Sequence, residues 1–485
     1  AGSSEEFVAD LRQEVVSSLT GQLVDKIESL YSIPESHKVS VPATTLLALL
    51  KDRELLLKDR NIIDSPHQSH KKVKIKRSQR SHTLDGSAAP AKRHNISNFN
   101  FNDAMIERYL VSSSKVANIL SKNPSFLAYE QMERLPALSA VPLTTARQLS
   151  YLRGPGESSA PLPHYGDFAC GQSISNYPVV LGRPYREGDP ICDRFYLKLF
   201  ENRIIASIAD AHNWGIYSRK ASKRATSQFM NTMEEFHKEI RTLRSAGPVL
   251  LSSLATAHLR IQECDSEYTT PRNVCFLGGV LLETDQTQAK HEPMSPELDS
   301  LLEFPFVFAF VSAGDCKCYH YSVATKNITD HTPDSTKRNC NTIGGSGAPA
   351  VAKNISIDYI PCKQDDIIIM CTAGASDNFD PIQQGKDPAE FMKGNTADES
   401  LCAAYSLAFI KNIVDENPTV TSITESLLGA THSITKASRE FMEKDLQGKL
   451  DQDPMIHPGR MDHATCLCFR VGRVTLSYDE WVGNM

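Results

Sequence analysis

Apolar residues along this chain recur with two different periods. Residues 5–31 place Val8, Leu11, Val15, Leu19, Leu23, Ile27 and Leu30 on one helical stripe. Residues 43–59 open a second, Leu-rich helix after Pro42, so the pair reads as a helical hairpin. A third helical pattern runs over 101–120 through Met105, Ile106, Tyr109, Leu110, Val116, Ile119 and Leu120. Residues 122–164 are rich in Pro, Ser and Leu and read as mostly irregular. From about Tyr165 onward the texture becomes short strands alternating with helices.

The clearest element of that second part is the run from Arg203 to Gly215. Ile204 to Ala209 is an apolar stretch of strand length, Asp210 is the first charge after it, and a turn leads into a helix. The spacing of Ala221, Ala225, Phe229, Met233, Phe236, Ile240 and Leu243 predicts one long amphipathic helix from Ser218. A carboxylate at a strand end below a helix start can hold a cation, meet a phosphate, or simply cap the helix.

Further strands are predicted over 195–200, 274–282 (with Gly278 and Gly279 inside it), 366–372 and 464–471. Residues 304–312 and 318–322 flank Gly314-Asp315 and read as a hairpin. Helices are expected over 400–414 and 423–444, and no internal repeat is visible. Antiparallel-style strands with helices grouped in a few long connections predict an α+β sandwich of two antiparallel sheets with helices outside and an N-terminal helical extension.

Composition then divides the chain. Residues 64–97 change character: between His70 and Arg80 lie six Lys or Arg and no acidic residue. This reads as a disordered basic linker, the functional alternative being nuclear import or polyanion binding. The expected organisation is a helical segment at 1–63, the linker at 64–97, a helical and irregular extension at 98–164, a main domain at 165–475 and a tail at 476–485. The net charge of −6 argues against nucleic-acid binding by bulk electrostatics. Twelve cysteines are scattered, and pairs such as Cys316/Cys318 and Cys466/Cys468 have strand alternation rather than zinc-ligand spacing. Reduced, buried thiols in the cytoplasm or nucleus are the expectation. With no signal-peptide pattern and no apolar run near twenty residues, a soluble protein is expected. Glycosylation-type matches at Asn95, Asn327 and Asn354 are read as chance.

Four aspartates stand at the ends of apolar strands or in the turns between them: Asp193, Asp210, Asp315 and Asp462. Hard cations such as Mg²⁺ and Mn²⁺ take several carboxylate oxygens from rigid elements. Two such ions can lower the pKa of a shared water and orient it towards phosphorus.

The ordered motifs resemble those of the metal-dependent protein Ser/Thr phosphatases of the PPM/PP2C family. Ser207-Ile-Ala-Asp-Ala-His-Asn-Trp-Gly215 resembles the family's V-A-D-G-H-G-G, and Val311-Ser-Ala-Gly-Asp315 its N-V-G-D-S. Ile367-Ile-Ile-Met-Cys-Thr-Ala-Gly-Ala-Ser-Asp377 resembles L-L-A-S-D-G-L-W-D, and Gly459-Arg-Met-Asp-His-Ala-Thr465 the closing S-x-D-N-x-T. Ile191-Cys-Asp-Arg-Phe195 resembles the early E-D motif. The resemblance covers roughly residues 165–475 and implies two antiparallel sheets packed face to face.

It also implies roles. Asp210 falls on the metal-bridging aspartate, Ala211 on a residue whose carbonyl binds metal, Asp462 on the late ligand and Asp193 on the early acidic position. Asp315 falls on a residue tied to an additional, weaker metal site, and His212 on the histidine proposed as general acid. His212 and Asp193 are thus the catalytic candidates. The departures are as informative. Ala373 stands where the family has a metal aspartate, Cys192 where it has a glutamate, and His463 where Asn or Asp is usual. Arg186 is the nearest candidate for a phosphate-binding arginine, displaced by two residues. Mg²⁺ or Mn²⁺ at reduced occupancy is the expected cofactor, with His463 or Asp377 as conceivable substitutes for the missing ligand. Three readings follow: a pseudophosphatase that binds protein partners or phosphoproteins, a working phosphatase with a partial site, and an unrelated α+β protein. Trp214 is expected to pack under the helix start, His457 and His463 to be solvated, and Gly344 to Gly347 to form a flexible surface loop.

Overall fold

The computed structural model describes residues 131–474 except 133, 145–146, 156–163, 181, 183–184, 263–271, 288–295, 333–341, 345–354, 394–395, 445–449 and 451–452. These lie in one compact unit, His94–Met485. The helices expected at 5–31, 43–59 and 101–120, and the basic linker, lie outside the described residues.

Strands β1 (Ser150–Gly154), β2 (His164–Tyr165), β3 (Ala169–Ser175), β4 (Arg194–Phe200) and β5 (Arg203–Ala211) precede helices α1 (Ile216–Phe236) and α2 (Leu243–Gln262). Next come β6 (Asn273–Glu283), α3 (Pro296–Leu301), β7 (Phe306–Ala313), β8 (Lys317–Ser322), β9 (Asn327–Asp330), β10 (Ile343–Gly344), β11 (Ile355–Cys362) and β12 (Ile367–Cys371). The one-turn α4 (Ala373–Ser376), a small β13–β14 pair (Met392–Lys393, Thr396–Ala397), α5 (Glu399–Glu416), α6 (Val420–Ile434), α7 (Lys436–Lys444) and β15 (His463–Arg470) complete the order.

The main strands form two antiparallel sheets, as the alternation predicts. One runs β1-β4-β5-β6-β7-β11 with β10 added beside β6, and the other runs β2-β3-β15-β12-β8-β9. Strands buried on both faces divide their side chains between two cores. In β5, Ile204, Ala206 and Ile208 face the gap between the sheets, whereas Ile205 and Ala209 face the helices. In β12, Ile368 and Met370 join the inter-sheet core, whereas Ile367, Ile369 and Cys371 pack with α6 residues Ile423 and Leu427. The result is four layers, helix–sheet–sheet–helix, around three apolar cores.

Four expectations change. The predicted hairpin across Gly314-Asp315 is a crossover: β7 pairs with β6 and β11 in one sheet, and β8 with β12 and β9 in the other. The single long helix from Ser218 is two helices. Ile240 is extended, and Thr242 and Ser245 exchange side-chain-to-amide bonds of 3.0 Å each, a capping box that starts α2. The fully buried Arg203 donates to the carbonyl of His237 and to that of Ile240 at 2.8 Å, satisfying the end of the first helix. The helix expected over 423–444 is likewise divided, at Thr435. Within 122–164, read as irregular, β1 forms an edge strand paired with β4. Among the described residues, no helix is long and apolar enough to cross a membrane.

Candidate functional site: an acidic end of the sandwich

Strand register gathers the aspartates at one end of the sandwich. Arg194 pairs with Ala209, so the preceding Asp193 stands across from Asp210. Asp210 in turn pairs with Cys275 of β6. Asp315 follows β7 through Gly314, whose φ is +102° and where a Cβ would come within 2.6 Å of the Cys275 sulfur. Asp462 lies just before β15, in the opposite sheet.

Asp193 bridges the two sheets. Its Oδ2 accepts from Thr372 Oγ1 at 2.7 Å and from Thr465 Oγ1 at 2.9 Å, residues at the end of β12 and within β15. Thr372 Oγ1 also accepts the Thr465 amide at 2.9 Å, which ties the pair together. Burial, and then the nearby Asp462, push the Asp193 carboxyl up to about 8, against the two hydroxyls and Arg460. Burial followed by Asp193, Asp462 and Asp315 raises Asp210 well above the carboxylate range, while Arg460 opposes. The other three aspartates picked out in the sequence thus all act on Asp210. Among the described residues, however, no three His, Cys, Asp or Glu side chains are grouped as a ligand set for a metal ion.

Several neighbouring positions differ from expectation. His463 is buried rather than solvated, its Nδ1 facing the Cys192 amide at 3.4 Å. His457 packs on Phe441 with ring centroids 4.5 Å apart. Trp214 is 53% exposed instead of packing under the helix, and its ring lies 6.4 Å from that of Tyr177. Arg186 donates from Nη1 to the Tyr177 carbonyl at 2.8 Å. His212 is exposed, with Nε2 3.5 Å from the Cys275 sulfur, and the hydroxyl of Ser218 donates to its carbonyl at 2.9 Å. Cys192 is buried, and burial pushes its thiol up to about 12. Ala211, whose carbonyl the resemblance marks, is the last residue of β5.

Ala373 is wholly buried at the start of α4. The next residue, Gly374, has no room for a side chain: a Cβ there would lie 1.9 Å from the His463 carbonyl oxygen and 3.0 Å from the Asp462 Cβ. The turn carrying Ala373 is therefore pressed against the segment that presents Asp462.

Sequence reasoning missed Arg460. Its Nη1 pairs with Asp377 and its Nη2 with Asp462 Oδ2 at 2.9 Å. Asn378 clamps its backbone, accepting from the Arg460 amide at 2.8 Å and donating to the Arg460 carbonyl at 3.1 Å. The available signal was an arginine two residues before Asp462 in Gly-Arg-Met-Asp.

The fold is thus a sandwich of two antiparallel sheets with helices outside and an acidic end. No family model matches the chain. It is 24% identical over 230 residues to the PP2C-like domain-containing protein CG9801 of Drosophila melanogaster; the match covers 44% of this chain and 30% of that protein, so it spans about a third of the relative's length. Solved structures give looser likenesses. The photosystem II phosphatase PBCP is 11% identical with a TM-score of 0.36, over 63% of this chain and 100% of that one. The PPM Ser-Thr phosphatase MsPP from Mycobacterium smegmatis, in complex with cacodylate, is 14% identical with a TM-score of 0.32, over 63% and 98%. The catalytic domain of PstP with two manganese ions is 10% identical with a TM-score of 0.32, over 63% and 99%. In the order of its motifs and in its curated relative, the chain is similar to PP2C-like domain proteins.

Proposed function

We propose that this PP2C-like domain acts as a pseudophosphatase, binding protein partners or phosphoproteins rather than hydrolysing phospho-Ser/Thr at a useful rate. Ala373 carries the reading. At the position where the resemblance puts a metal carboxylate there is a methyl group, fully buried, in a turn pressed against the Asp462 segment. A methyl cannot ligate, and a divalent cation that loses one of three carboxylates must replace it with water. Asp210 and Asp462, with the Ala211 carbonyl and with Asp193 and Asp315 nearby, are hard oxygen donors that suit Mg²⁺ or Mn²⁺, at reduced affinity.

The test is a phosphopeptide assay of the full chain with Mn²⁺ and Mg²⁺, beside Ala373→Asp and Asp210→Asn. The expected result is no turnover by the native chain and measurable turnover by Ala373→Asp. Native turnover that Asp210→Asn abolishes overturns the proposal. It would instead support an active phosphatase with a partial site, the reading favoured by the gathering of Asp193, Asp210, Asp315 and Asp462 below an exposed His212. The ten described cysteines are all buried and free, which supports a cytoplasmic or nuclear setting. The net charge of −6 supports protein partners over nucleic acid.

A further inference from the structure

We propose that Arg460 is the resident counter-cation of the acidic end, taking the charge-neutralising place of a divalent ion, so that metal binds in competition with it. The inference deepens the pseudophosphatase reading and rests on it. Both oxygens of Asp462 are already engaged: Oδ1 accepts the His463 amide at 2.9 Å, and Oδ2 accepts Arg460 Nη2 at 2.9 Å. Each oxygen keeps a second lone pair, but the guanidinium on Oδ2 sets a positive charge where a cation would approach, and it is the movable partner of the two.

The arginine's backbone is held in place. Asn378 grips its amide and carbonyl and also donates to the Gly374 carbonyl at 2.7 Å, so one side chain joins the Ala373 turn to the Arg460 loop. Gly459, at φ +86°, lets the chain pass Thr435, whose methyl would lie 2.6 Å from a Cβ. The planar fork then spans two carboxylates, one nitrogen to each, which an ammonium on a flexible stem does less well. Two carboxylates brought to one guanidinium, Asp377 and Asp462, share its positive charge. A tethered one supplies it at any metal concentration. The substitution and the arginine therefore fit one another: with Ala373 in place of a ligand, a bound ion would be weakly held, and the arginine keeps the remaining carboxylates folded without it.

The experiment uses the full-length chain, Arg460→Met and Arg460→Lys, measuring thermal unfolding in EDTA and Mn²⁺ affinity by titration calorimetry. Arg460→Met should unfold several degrees lower in EDTA, recover with Mn²⁺, and bind Mn²⁺ roughly tenfold tighter than the native chain. If Arg460→Met folds only with Mn²⁺ present, the inference also stands. If it folds in neither condition, Arg460→Lys decides, with an Mn²⁺ affinity above native supporting the inference and one equal to native overturning it. Unchanged EDTA stability and unchanged Mn²⁺ affinity in Arg460→Met overturn it outright. Phosphopeptide turnover by the native chain sinks the pseudophosphatase reading instead, and the EDTA and affinity comparisons report on Arg460 separately.

Discussion

Asp193 is a carboxylate turned away from water, received by the hydroxyls of Thr372 and Thr465. Its pKa of about 8 makes a pH-dependent prediction whose sign follows from proton counting. Between the ordinary carboxylate value of about 4 and a pH of about 8, the folded chain holds a proton that the unfolded chain has released. Native stability should therefore fall as pH rises through that window. Asp193→Asn keeps an oxygen for the two hydroxyls and carries no charge, so in EDTA its melting temperature should exceed native by a few degrees at pH 8. The difference should shrink by pH 5, where the native carboxyl is protonated when folded. Thermal melts at both pH values check this, and a variant no more stable than native at pH 8 refutes it. The same residue also marks what the sequence made legible. Its position at a strand end, like those of Asp210, Asp315 and Asp462, could be read from the apolar runs alone. The cation beside them could not, because Arg460 finds Asp377 across 83 residues of chain, and only the packing of the α4 turn against the β15 entry brings the two together.

Elements were easier to read than their partners. β7 and β8 were both visible as apolar runs, yet a three-residue link at Gly314, Asp315 and Cys316 looks the same whether the chain folds back in one sheet or crosses to another. The difference lies in Cys316, which is buried in the core between the sheets. The break between α1 and α2 was hidden for a related reason. Ile240 and Leu243 both stay in the helix-facing core, so the 3.6-residue stripe continues while the backbone does not. Gly278 and Gly279 sit in the middle of β6 and serve its two faces. A Cβ at Gly278 would meet the Phe229 ring at 2.7 Å on the helix side. One at Gly279 would meet the Ala309 backbone oxygen at 2.6 Å and the Phe308 ring at 2.6 Å on the inter-sheet side. Rings can shift, whereas a paired strand's carbonyl cannot. Gly279→Ala should thus cost more than Gly278→Ala, with about 1–3 kcal/mol expected for the latter as an overpacking cost. Denaturant unfolding of the two variants checks the order, and an equal or reversed order would show that β6 yields at its backbone.

At the scale of the whole described domain, three cores hold four layers together, but only the middle one joins sheet to sheet. The site depends on that joint, because Asp193 and Asp210 come from one sheet and Thr372, Asp462 and Thr465 from the other. Aromatic contact supplies part of it: Phe308 of β7 meets Phe469 of β15 edge-on, with centroids 5.5 Å apart and planes at 69°. Both rings are completely buried, and Phe308 also stacks on Phe310 at 5.9 Å within its own sheet. Truncating Phe308 to Ala should cost about 3–5 kcal/mol, since the remaining side chains cannot collapse across a gap fixed by two paired sheets. The part of this that belongs to the joint is separable. A double-mutant cycle of Phe308→Leu and Phe469→Leu should return a coupling of about 0.5–1.5 kcal/mol, the range of an edge-to-face pair beyond its buried area. The same cycle between Phe310 and Phe469 should return less, because no ring pair joins those two. If Phe308 and Phe469 show no coupling, the sheets are held by area alone, and the acidic end then owes its alignment to the Asp193 hydrogen bonds rather than to the aromatic joint.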